Sequence, residues 1–367
     1  MGWAALSELV PYYPLYALLF LDTGLSAAQV SGLFAAWSVT AFVTEVPAGV
    51  LADRWSRRGA VVLAGVLQAV AFAVWTTAPA YGSFLVGFVI WGVSGALVSG
   101  ASEALVHDGL AAVGAAHAYG RVNGWMTSAE LLVQVPTAFA ASALFALGGY
   151  AAVGWTSVAV CLAAAALALR FPEAPRVPDD DEPSIPLRQG VVEALRRSGL
   201  RLVVVAVALI GGLDAVEEYF PVLAGDWGVP TTTVPLAVLV IALAGAAGAS
   251  LGGRADRLRG GTLLALLVVA AGCLALAAVW ARPAALALVA VFYALYLAVL
   301  VVAEARLQDR IASRHRATIT SVAGLGIELA SLLVFAAWAV GGPIAVAVLV
   351  LAVVPVVRAG LRTRETV

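Results

Sequence analysis

Long apolar runs alternate with short polar loops along the whole chain. A bilayer core needs about 20 apolar residues per helix. Twelve stretches reach that length, at about 3–21, 28–50, 60–79, 82–104, 121–147, 149–169, 201–222, 232–251, 262–281, 284–303, 318–340 and 343–360. In lipid only helices and closed barrels satisfy the backbone hydrogen bonds, and runs this long predict helices. The expected fold class is an all-α integral membrane protein with twelve transmembrane helices. Residues 1–21 lack a basic leading segment and a small-residue cleavage site, so they read as a retained span.

The polar landmarks between these runs occur twice. Gly49-Val50-Leu51-Ala52-Asp53-Arg54 closes the second run, and Gly252-Gly253-Arg254-Ala255-Asp256-Arg257 closes the eighth. Glu103-Ala104 leads to Asp108 as Glu304-Ala305 leads to Asp309, and Glu130-Leu131 is echoed by Glu328-Leu329. The copies lie roughly 203, 201 and 198 residues apart, which predicts two halves related by duplication. The expected units are a six-helix bundle over 1–170, a linker over 171–200, and a second six-helix bundle over 201–367.

Composition agrees with a bilayer environment. The chain is 62% hydrophobic and 12% charged, with a mean hydropathy of +0.99. A soluble domain carries roughly 25% charged residues. All 21 basic residues are arginine. The arginines after spans 2, 4, 6, 8, 10 and 12 fall on one side, and Arg282 on the other. By the positive-inside rule both termini are cytoplasmic, in an inner membrane. A net charge of −1 without a basic patch gives no sign of nucleic-acid binding. Cys161 and Cys273 lie in apolar runs and read as small buried hydrophobes.

The segment 171–200 is the exception to short connections. It carries five prolines and the acidic run Asp179-Asp180-Asp181-Glu182, which reads as a solvated linker. Residues 187–198 then fit a short amphipathic helix on the membrane surface, with Arg188, Arg196 and Arg197 toward headgroups.

Two six-span halves, a middle cytoplasmic linker and Gly-x-x-x-Asp-Arg loops after spans 2 and 8 resemble the major facilitator superfamily over essentially the whole chain. Gly49 to Arg58 looks like that family's loop motif, with Ser56 standing where the motif usually has glycine. Span 4 carries no internal arginine. Span 5 keeps only Pro136 of a drug-antiporter signature. The resemblance implies a conformational latch on the cytoplasmic side, formed by Gly49, Asp53, Arg54, Arg57, Arg58, Glu103 and Asp108 and by Gly252, Asp256, Arg257, Glu304 and Asp309. Glycine at 49 is expected to let helices approach closely. Asp53 is placed to accept bonds at a helix end, and the arginines are within reach of Glu103 or Asp108. Topology signalling alone is the alternative, but it needs only arginines, and the acids are duplicated as well.

Seven acids fall within spans: Glu8, Glu45, Glu130, Asp214, Glu217, Glu218 and Glu328. At 1.5 Å per residue Glu45 lies about 12 Å inward of Asp53, and Glu130 about 13 Å from Arg121. No arginine or histidine lies deep in a span; His107, His117 and His315 are all in loops. Embedded acids without embedded bases are protonated, hydrated, or paired with a cation from outside the fold. Asn123, Thr127, Glu130, Gln134 and Thr137 recur every three or four residues, so they share one helical face and predict a cavity wall. Ser321, Gly324, Glu328 and Ser331 form a weaker echo in span 11. Tyr12, Tyr16, Trp37, Trp91, Trp125, Tyr293 and Tyr296 either stack on a cation in the pocket or serve packing and interface anchoring.

No metal-ligand spacing, phosphate loop or nucleophile constellation is present in the sequence. The reading is a secondary transporter without enzyme activity or cofactor, a monomer in the bilayer whose partners are protons and a small-molecule substrate. Alternating access with proton-coupled efflux of lipophilic neutral or cationic compounds is the first form. The substrate and proton site is expected at Glu45, Glu130, Glu328, Asp214, Glu218, Asn123, Thr127 and Gln134. The alternatives are a proton symporter importing a sugar-like or other neutral metabolite, and a non-transporting membrane sensor or scaffold.

Overall fold

The computed structural model describes residues 1–173, 198–254, 260–310 and 316–361, without the side chains of 198–200, 254, 309–310, 316–321 and 361. Most of the 171–200 linker, Asp256, Arg257 and the side chain of Asp309 lie outside the described residues, so the expectations on them have no structural counterpart. Among the described residues every regular element is helical.

The helices are α1 (Gly2–Glu8), α2 (Tyr16–Asp22), α3 (Ala27–Arg54), α4 (Arg57–Thr77), α5 (Tyr81–Ala112), α6 (Tyr119–Ala168), α7 (Ser198–Gly212), α8 (Phe220–Asp226), α9 (Val234–Arg254), α10 (Gly260–Trp280), α11 (Leu286–Arg310) and α12 (Arg316–Leu361). Eight of the helical stretches are long and apolar enough to cross a membrane. Contacts divide the chain into two units, Met1–Asp180 with Pro230–Leu239, and Asp181–Val229 with Val240–Val367.

Sequence signals explain the local starts and breaks. Ser26 and Gln29 form a capping box at the head of α3, satisfying two otherwise unpaired N–H groups. Span 1 is broken between α1 and α2, where Pro11 and Pro14 remove backbone donors and obstruct a continuous helix. Span 7 is broken likewise: α7 passes into a 3-10 stretch, Leu213–Tyr219, before α8 begins with Pro221 in its first turn. The helices α6 and α12 each hold two spans joined at a Gly-Gly pair. Gly149 has φ 57°, ψ −152° and Gly342 has φ 58°, ψ −146°. Only glycine enters that region readily. The two kinks match in residue and geometry, a recurrence that the acid and arginine landmarks did not include.

An aromatic core fills the first unit. Phe20, Phe34, Phe72, Trp75, Phe84 and Phe88 are fully buried, and Trp75 Nε1 donates to the Phe84 carbonyl at 3.2 Å. The broken span 1 is secured from outside itself. Tyr12 N donates to Ser157 Oγ at 3.0 Å and its hydroxyl meets Thr76 Oγ1 at 3.1 Å. A backbone donor freed by the break thus finds a partner on α6, as burial in an apolar setting requires. In the second unit α9 lies directly on α11: a Cβ at Gly248 would overlap the Ala294 carbonyl oxygen, and one at Gly252 would stand 2.5 Å from that of Ala298. Close helix approach in membranes relies on such small residues. At Gly49, where a close approach was expected, a Cβ would meet nothing within 4 Å.

Candidate functional site

A cavity of about 350 Å³ opens within the first unit. Its wall draws on α1, the break after it, α4, α5 and both legs of α6. Glu8, Gln68, Trp91, Asn123, Thr127 and Glu130 all line it. Tyr13, in the span 1 break, stacks on Trp91 at 5.6 Å with 9° between the rings. Trp91 in turn stacks on Trp37 at 5.1 Å. Gln68 Nε2 donates to the Tyr13 hydroxyl at 2.8 Å and fixes that ring at the cavity edge. Acids, amides, hydroxyls and an aromatic face therefore meet in one space. No arginine or histidine side chain lines it.

The expected residues separate here. Asn123, Thr127 and Glu130 are on the wall. Gln134 and Thr137 share their helical face but are not on it; Gln134 is exposed, and Thr137 is buried with its hydroxyl donating to the Val133 carbonyl at 2.7 Å. Glu45 accepts from Ser99 Oγ at 2.9 Å. Ser99 lines the cavity, and Glu45 touches the wall through that bond without lining it. Glu103, expected at the latch, lines the cavity. Glu8 lines it too, an acid the sequence marked only as embedded; its position just before the Pro11–Pro14 break was the available signal.

The second unit holds a separate polar cluster at the span 7 break. The Tyr293 hydroxyl lies 3.1 Å from Asp214 Oδ1 and 3.0 Å from Glu217 Oε2. Tyr296 donates to the Gly211 carbonyl at 3.3 Å. Both tyrosines are packed inside, 6% and 1% exposed. Glu218 belongs to the same 3-10 stretch. Glu304 lies farther along the helix of Tyr293, α11. On α12 the Glu328 carbonyl accepts from Ser331 Oγ at 2.7 Å.

The loop between α3 and α4 is ordered by ion pairs. Arg57 donates to Asp53 Oδ1 through Nε at 3.2 Å and Nη2 at 3.1 Å, and through Nη1 to Asp108 of α5. Asp53 is 64% exposed and Asp108 33%, so the contact to Asp108 is the better shielded of the two. His107 Nδ1 also stands 3.4 Å from Asp108 Oδ1. Arg54 ends α3, and Arg58 turns toward the end of α6, at Phe171 and Glu173.

The family model of the Major Facilitator Superfamily matches residues 2–335. Among solved structures, a D-xylose-proton symporter is similar at 17% identity and a TM-score of 0.69, covering 92% of this chain and 88% of that one. A point variant of the nucleoside transporter NupG is similar at 11% identity and a TM-score of 0.71, covering 97% and 96%. The xylose transporter XylE from E. coli, in an inward open conformation, is similar at 15% identity and a TM-score of 0.66, covering 99% and 96%. At these identities the likeness is one of fold. No curated protein sequence matches the chain.

Proposed function

The chain belongs to the major facilitator superfamily, and from that premise we propose a proton-coupled secondary transporter that exports lipophilic neutral or cationic small molecules by alternating access. Its halves are 1–170 and 201–367, its termini are cytoplasmic in the inner membrane, and it works as a monomer. The observation that carries the reading is the cavity in the first unit, lined by Glu8, Glu103 and Glu130 without a basic side chain. A carboxylate drawn out of water needs a compensating charge or a proton. Either ligand satisfies the same group, so proton and cation displace each other. That competition is the minimum chemistry of exchange. The Trp91 face beside the acids adds an attraction for cations.

A second reading has its own support. Gln68, Ser99, Asn123 and Thr127 offer hydrogen bonds along the same wall, which suits a hydroxylated neutral solute. One of the structural neighbours is a D-xylose-proton symporter. In that case the protein imports solute and protons together. Purified protein in liposomes with an internal pH dye separates the forms. Exporters release protons inward as labelled substrate leaves. Symporters move both the same way. Movement of substrate with no proton flux in either direction rules out both.

The Asp53–Arg57–Asp108 group is proposed as the cytoplasmic latch of the first half. Arg57 holds both acids, so Arg57→Ala should disturb it more than Asp53→Asn. An exposed ion pair is worth about 0.2–1 kcal/mol, and the Asp108 contact, less exposed, belongs at or above the top of that range. Arg57→Ala should therefore slow turnover by about fivefold with substrate affinity kept, and Asp53→Asn by about twofold. Equal turnover for Arg57→Ala and wild type in the liposome assay would remove the latch.

A further inference from the structure

Ser56 departs from the glycine usual in the loop motif, and its surroundings give it a task. Its backbone is extended, φ −168° and ψ 124°, so nothing there requires glycine. Its hydroxyl accepts from Gly59 N at 2.8 Å, capping α4, and donates to Glu173 Oε2 at 2.9 Å. Two residues on, Arg58 Nη1 donates to the Phe171 carbonyl at 3.2 Å, and its Nη2 stands 3.9 Å from Glu173 Oε2. From α1, Trp3 packs edge-on against the Phe171 ring at 5.8 Å. Three contacts from one loop and one from α1 thus converge on Phe171–Glu173, just beyond the end of α6. That short piece is the root of the segment that joins the two halves.

We propose that Ser56 and Arg58 are positioning residues that clasp Phe171 and Glu173, making the loop after α3 the fixed anchor of the inter-half linker. The proposal rests on the transporter reading for its effect on turnover, and on geometry alone for the clasp. Residues just past a helix end fray unless something holds them. A hydrogen bond to a carboxylate and one from a guanidinium are among the stronger side-chain contacts. Anchoring the root fixes where the chain leaves the end of α6 and holds that point to the loop after α3. The same loop also carries Arg57, which holds Asp53 and Asp108. Three consecutive side chains therefore tie α3, α5 and the linker root to one another.

The test uses the full chain and separates capping from clasping. Ser56→Asp keeps a good capping acceptor for α4 but sets a like charge against Glu173. Glu173→Ala removes the acceptor and leaves the cap untouched. Both should speed exchange of the Phe171 and Glu173 amides about tenfold and lower turnover about threefold, with KM unchanged. Ser56→Thr should behave as wild type. In the double variant Ser56→Asp with Glu173→Gln, the amide donates to the new carboxylate, and both readouts should recover. Unchanged exchange in Ser56→Asp and Glu173→Ala overturns the clasp. Faster exchange with wild-type turnover overturns its positioning role. Should wild type move no solute at all, the transporter reading and the turnover claim fall together, while the exchange data still decide whether the clasp exists.

Discussion

Glu130→Gln is expected to abolish proton-coupled transport while the protein still folds. Glu130 lines the cavity of the first unit together with Asn123 and Thr127 from the same helix face. Glutamine keeps the size of the protonated acid and its capacity for hydrogen bonds, but it cannot take up or release a proton. Binding of a cationic substrate should weaken by about 1–3 kcal/mol, the range for losing a charged partner in a buried contact. Neutral substrates should be affected less. The measurements are substrate-driven proton flux in liposomes, calorimetric binding, and gel filtration as a folding control. Unchanged proton dependence in Glu130→Gln would make that carboxylate structural. Glu8 would then lead, since it lines the same cavity; Glu45, hydrogen-bonded to Ser99, would come after it.

One substitution type should have opposite signs at two helical glycines, Gly248 of α9 and Gly49 of α3. Gly248→Ala places a methyl group into the Ala294 carbonyl oxygen on α11. A helical carbonyl cannot rotate aside without breaking its own hydrogen bond, so α9 and α11 must separate. Overpacking of this kind costs about 1–3 kcal/mol, and a backbone obstacle belongs at the upper end. Gly49→Ala meets nothing within 4 Å and replaces a residue with poor helix propensity, a gain of about 0.5–1 kcal/mol. Thermal unfolding in detergent should show Gly248→Ala well below wild type and Gly49→Ala at or slightly above it. Equal melting of the two variants would refute the close α9–α11 packing.

These cases show where reading the chain succeeds. Span boundaries fell close to the kinks, with 147–149 and 340–343 bracketing Gly148–Gly149 and Gly341–Gly342. Apolar length and glycine pairs are local signals, and they report local geometry. Spans 1 and 7 were read as continuous, yet both are broken. Pro11, Pro14 and Pro221 pointed to those breaks, and hydropathy concealed them because the broken segments remain apolar. The stripe on α6 was real as a face, but helical periodicity says nothing about how far along that face a cavity extends. It ends after Glu130, leaving Gln134 and Thr137 outside.

Sequence by itself determined the membrane class, the recurrence of polar landmarks and the chemistry available at each loop, because these depend on composition and spacing along one chain. Tertiary structure alone decided which partners each polar group finds. Arg57 could reach Glu103 or Asp108 by sequence; packing of α4 on α5 gave it Asp108 and left Glu103 to the cavity. Ser56 looked like a simple departure from a motif until the end of α6 brought Glu173 beside it. Gly252 resembled Gly49 in its motif, but only α9 lies against a neighbour closely enough to need the missing side chain. The physical reason is common to all three. A contact joins residues far apart in the chain, and its existence depends on how whole helices pack, which no local pattern encodes.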